Sequence, residues 1–106
     1  MKMDMIGSPT AGAARRLARA LRTSATAAGL DALILSTTER PWASATYVGA
    51  RHRLVIGLPA SHARHRWLAA LAEADLPMRG HIALPPALLS TTDETVMIEV
   101  VTLEAH

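Results

Sequence analysis

The chain of 106 residues contains no cysteine and no phenylalanine, and its aromatic side chains are Trp42, Trp67 and Tyr47 alone. Without thiols there is no disulfide framework, no thiolate nucleophile and no zinc site of the cysteine type. With so few aromatics, Leu, Ile, Val, Met and Ala must fill the interior. No stretch approaches the roughly 20 consecutive apolar residues of a membrane span. The start, "MKMDMIGSPTAGAARR", lacks the apolar core of a signal peptide. Glycine-rich phosphate loops and nucleophile elbows are also missing. The expectation is a soluble, cytoplasmic protein without cofactor or metal.

What is present suits one small α+β domain. A chain of this size buries roughly two-thirds of the surface its unfolded form exposes, enough for a single core. Its charge is uneven. Residues 1–66 carry ten Lys+Arg against three Asp+Glu, and residues 67–106 carry one against six. The halves therefore stand at 10 − 3 = +7 and 1 − 6 = −5, summing to the net +2. Such asymmetry marks an anion surface, or two halves that attract each other within or between chains.

Residues 1–12 show no period and read as a flexible tail, with one domain over 13–106. In "AARRLARALRTSATAAG", Leu17, Leu21, Ser24 and Ala28 follow a helical stripe and Gly29 stands where a C′ glycine ends it. Arg15, Arg19 and Arg22 share another, solvated stripe. Strands are expected near 30–37 and 43–58, with Pro41 in the turn between them and a bulge at Gly49. "PASHARHRWLAALAEADLP" repeats the helical pattern, capped by Ser61 and closed by Pro77, with Ala63, Trp67, Leu71 and Ala74 inward. Two more strands flank the turn "STTDE", the first short, bent or at an edge because of Pro85 and Pro86. An "STT" followed by an acid occurs in each half, at Ser36–Glu39 and Ser90–Asp93, which would suit two αββ halves at 13–58 and 59–106.

An αββαββ order gives a four-stranded, mainly antiparallel sheet with both helices on one face. It is related to the ferredoxin-like order by moving the last strand to the front. The expected core is Leu17, Leu21, Leu33, Leu35, Leu54, Ile56, Trp67, Leu71, Ile82, Val96, Ile98 and Val100.

The tetrapeptide "ARHR" occurs twice, at 50–53 and 63–66. In a strand, alternation puts His52 toward the helices and Arg51 and Arg53 on the opposite face with Tyr47. In a helix, His62, His65 and Arg66 fall on the solvated side and Arg64 at the edge of the buried stripe.

Three functional readings follow. In the first, the chain is an interaction or structural module, homodimeric through the open sheet face. There Met97, Glu99, Val101 and Leu103 of the last strand form a mostly apolar row that the helices cannot also cover. In the second, Trp42, Tyr47, Arg51 and Arg53 bind an anionic ligand or single-stranded nucleic acid by stacking plus charge. The third is a small enzyme centred on His52. A lone histidine on an apolar face is more often packed than catalytic. His62 and His65 have chelating i, i+3 spacing, but arginines flank them and no carboxylate lies near in sequence, so they read as surface histidines.

Overall fold

The computed structural model describes residues 9–105, and side chains from Gly12 onward. The elements are α1 (Pro9–Ala27), β1 (Leu33–Ala43), β2 (Val48–Gly57), α2 (His62–Ala70), β3 (His81–Ala83), β4 (Ala87–Thr91) and β5 (Thr95–Glu104), with a 3₁₀ turn at Leu71–Glu73. Residues 1–8 of the expected tail lie outside the described residues. Residues 9–12 belong to α1, which opens on Pro9, a residue suited to the first helical position because it lacks the N–H that would go unpaired there.

The helix ends behave as their residues dictate. Gly29 has φ +80°, Gly29 N donates to Thr26 O at 2.9 Å and Leu30 N to Ala25 O at 2.9 Å. This is the paired 5→2 and 6→1 closure that a left-handed C′ residue allows. At α2, the Ser61 hydroxyl accepts from Arg64 N at 2.9 Å, the expected N-cap. The helical stretch ends at Glu73, before Pro77, and the following loop is held down by buried Leu76 and Met78.

All strand pairings are antiparallel, in the lateral order β1-β2-β5-β3, with β4 also on β5. β3 pairs with residues 102–104 and β4 with residues 96–99 of the same edge of β5. The expected third strand is therefore one lane broken in two. Pro85 and Pro86, which cannot donate to a ladder, stand at the break, and the count becomes five strands.

The first hairpin departs from expectation. β1 runs through Pro41 to Ala43, and the turn is Ser44–Tyr47, where Ser44 Oγ accepts from Tyr47 N at 3.0 Å and Ser44 N donates to Tyr47 O at 2.8 Å. Pro41 is tolerated because β1 is an edge strand, where an absent N–H costs no interstrand bond. "STTE" thus lies within β1, whereas "STTD" does lead into a turn. There Thr92 Oγ1 accepts from Thr95 N at 2.9 Å and from Glu94 N at 3.2 Å.

No register shift occurs at Gly49; the shifts fall between Ile34 and Ser36 and between Leu88 and Ser90. Gly49 instead answers to a close approach, since a Cβ there would run into the carbonyl oxygen of Thr102.

The core lies between one sheet face and both helices. Leu17, Leu21, Ala13, Ala20 and Ala25 of α1 meet Leu54 and Ile56 of β2, Val96, Ile98 and Val100 of β5, and Trp67 and Leu71. The two helices are also tied to each other, Trp67 Nε1 donating to Ser24 Oγ at 3.0 Å. Three expected core residues are exposed: Leu33 at 63%, Leu35 at 51% and Ile82 at 53%. Register explains all three. Leu33 pairs with Gly57 and Ile82 with Leu103, both on the face away from the helices, and the bulge lays Leu35 against Gly57 as well. Between Leu33 and Leu35 the inward residue is Ile34, opposite Ile56 and packed on the core.

Candidate functional site: the open sheet face

The face of the sheet away from the helices carries the residues of interest. Cross-strand partners share a face, so the registers place Arg40 opposite Arg51, Thr38 opposite Arg53, and Trp42 opposite Gly49 on β1 and β2. On β5, Val101 lies opposite Arg51, Glu99 opposite Arg53, Met97 opposite Val55 and Leu103 opposite Gly49. β3 adds Ile82 beside Leu103, and Leu84 N donates to Val101 O at 2.8 Å just beyond it.

Three regions result. One is apolar, made of Val101, Leu103, Ile82 and Leu84, with Ile82 and Leu84 among the large exposed hydrophobic side chains. Another is a polar depression of about 230 Å³ lined by Thr38, Glu39, Arg40, Arg51, Arg53 and Glu99. Within it Arg53 Nη2 donates to Glu99 Oε2 at 3.0 Å, the ion pair found among the described residues. Among the described residues, no carboxylate lies at that range from Arg40 or Arg51. A second apolar group, Leu33, Leu35, Val55 and Met97, closes the opposite end of the face.

Of the residues expected to bind a ligand, Arg51 and Arg53 come together here. Trp42 sits one register step from Arg40 on the same face, half-buried within β1, and its Nε1 is buried with no acceptor. Tyr47 is exposed at the hairpin turn, just before β2 begins. Met97, Glu99, Val101 and Leu103 do share the open face, each partly exposed. Arg40, Ile82 and Leu84 join this face without a sequence signal that points to them. Pro41 makes Arg40 read as a turn residue, and only its alternation with Trp42 and Thr38 in an extended β1 places it here. Ile82 stands in a three-residue strand, too short for alternation to give its side.

His52 is on the helix side as expected, 1% exposed, with Nε2 2.8 Å from Thr102 Oγ1. Its Nδ1 is buried without a partner. Burial depresses its pKa below the ordinary 6.5; Glu39, its register neighbour, pulls it up, and His81 lowers it again. A general base needs access to the proton it takes. His52 has none, and it lines none of the surface cavities described. It is packed in the core, with one ring nitrogen paired and the other without a partner.

In the second "ARHR", His62, His65 and Arg66 are exposed as expected, and Arg64, expected at the edge of the buried stripe, is only 9% exposed. Its Nη1 donates to the carbonyls of Thr92 at 2.8 Å and Leu58 at 2.9 Å and lies 3.4 Å from that of Thr95. This guanidinium ties α2 to the end of β2 and to the β4–β5 turn. Among the described residues, no three His, Asp or Glu side chains converge as metal ligands, and no helix is long and apolar enough to cross a membrane.

The largest groove runs between α1 and the loop after α2, with Arg16, Arg19 and Arg79 on its walls and Ala20 and Met78 among its apolar lining. Arg16 and Arg19 stand on the helix and Arg79 in a loop, so no shared ladder sets their spacing.

These features define a two-layer α+β domain with one covered and one open sheet face. Comparison with family models, with curated proteins and with solved structures finds no match.

Proposed function

We propose that the protein is a small interaction module that pairs with a second copy of itself through the open sheet face. The observation that carries this reading is the contiguous apolar row of Val101, Leu103, Ile82 and Leu84, which no described element of the chain covers. Fully burying side chains of this size is worth roughly 1.5–3 kcal/mol each. A two-fold interface buries every one of them twice, against an association cost of several kcal/mol.

Face pairing is favoured over edge pairing. The free edge of β1 carries Glu39, Arg40 and Pro41 and is bulged after Ile34, all devices that discourage strand addition. The other edge is interrupted by Pro85 and Pro86. With the two-fold axis near β5 and β3, the arginines of β1 and β2 fall at the rim rather than against their own copies. The lateral order also supports a topological kinship: with β3 and β4 counted as one lane, moving β5 to the front yields the ferredoxin-like order. That arrangement hosts many unrelated activities and carries none here.

The test is light scattering at micromolar concentration on the wild type and on Ile82→Asp. Ile82 is exposed, so the charge is tolerable in a monomer and costly only in a pair. A dimeric wild type and a folded monomeric variant are expected. A monomeric wild type overturns the proposal.

A further inference from the structure

The geometry points to an anion site on the open face, formed by Arg40 and Arg51 with Thr38 beside them, that takes a phosphate dianion of a small phosphorylated molecule. The site lies on β1 and β2, one lane away from the apolar row, and does not depend on dimerisation.

The argument begins with a local cost. Arg40 and Arg51 occupy directly opposed positions of an antiparallel pair, where side chains stand about 5 Å apart at Cβ and like charges destabilise. Nothing in the neighbouring ladder relieves this. Glu99, the carboxylate of that face, is engaged with Arg53 at 3.0 Å. Glu39 lines the edge of the depression, but alternation sends its side chain to the helix face, opposite His52. With Arg53 and Glu99 cancelling, two guanidinium groups without a carboxylate partner among the described residues remain over one shallow polar depression. Their charge matches that of a phosphate dianion, and two planar forks of donors suit its tetrahedral oxygens. The Thr38 hydroxyl, one register step away, supplies a neutral donor.

Shape decides between a small phosphorylated molecule and a nucleic-acid strand. A strand needs a continuing basic track. Here the charged band ends at Leu103 and Ile82 in one direction and at Val55 and Met97 in the other. One phosphate group fits; a chain of them finds no further cations. The sites stand on paired strands, which hold them in place better than a loop would.

The test is titration of the whole chain at low salt, followed by NMR amide shifts. The probes are inorganic phosphate, glycerol phosphate and a single-stranded oligothymidylate, with chloride as the ionic-strength control. Saturable binding of both phosphates is expected, with shifts centred on residues 38–40 and 51–53. Arg40→Gln or Arg51→Gln should weaken it about tenfold or more, the usual loss for a charged hydrogen bond. Glu99→Gln should tighten it several-fold by releasing Arg53. The proposal is overturned if neither phosphate binds saturably, if the arginine variants bind as the wild type does, or if the shifts map to the Arg16 and Arg79 groove. Oligothymidylate binding that needs Arg40 and Arg51 while the phosphates fail to bind would reassign the site to nucleic acid and equally overturn it.

Discussion

The two copies of Ala-Arg-His-Arg, in β2 and in α2, place chemically identical side chains in opposite environments. In the strand, both arginines reach the open face and the histidine is buried; in the helix, the first arginine is buried and the histidine is exposed. The cause is periodicity. Strand residues alternate sides, so a histidine between two arginines must part from both. Helix residues advance about 100° each, so Arg64 and Trp67, three apart, can share the inner side while His65 and Arg66 turn away. Burial of Arg64 is possible because three carbonyls converge there, those of Leu58 just past β2 and of Thr92 and Thr95 at the β4–β5 turn. A charged side chain with a long apolar stem can satisfy them from within the interior.

Substitutions should break this comparison in order of the hydrogen bonds each removes. The largest loss is expected for Arg64→Ala, which leaves the Leu58 and Thr92 carbonyls without their donor; a destabilisation of about 3 kcal/mol should appear as a lowered urea midpoint. Arg66→Ala, two residues on and exposed, is the control. His52→Ala should follow at about 2 kcal/mol, from the lost bond to Thr102 and the cavity left behind.

The histidine also makes stability depend on pH. Its folded-state pKa is depressed below 6.5, chiefly by burial. As pH falls through 6.5 the unfolded chain gains a proton that the folded chain refuses. The unfolded state then binds more protons, and stability declines with falling pH until the lower folded value is passed. The share due to His52 is at most about 1.4 kcal/mol per pH unit. Denaturation at pH 7.5 and 5.5 should show this decline in the wild type and a shallower one in His52→Gln; equal declines would exclude His52 as the group responsible.

The smaller effects belong to the exposed members. Arg53→Ala removes an ion pair with Glu99 whose arginine is 55% exposed, so about 0.5 kcal/mol or less is expected, diminishing with added salt. His65→Ala should fall within about 0.5 kcal/mol of the wild type. A loss at His65 comparable to that at Arg64 would mean that the helix is oriented otherwise.

Much of this molecule was determined by the sequence alone. Gly29 ends α1 and Ser61 starts α2 because left-handed backbone and N-cap hydrogen bonding are local demands met by local residues. The inward phase of β2 and β5 was readable because β2 alternates from Ala50 to Gly57 and β5 from Thr95 to Leu103. Other features depended on neighbours distant in sequence. Whether Pro41 ends a strand or lies within one depends on that strand being at the edge, and the edge is set by where β5 pairs. This decided that Arg40 stands opposite Arg51. The inward or outward phase of Leu33, Leu35 and Ile82 depends on cross-strand register and a bulge, which short runs do not encode. Arg64 is buried because two turns from other parts of the chain supply its acceptors. Periodicity is a property of one segment, but the side of a sheet, an edge and a hydrogen-bond partner exist only once segments meet.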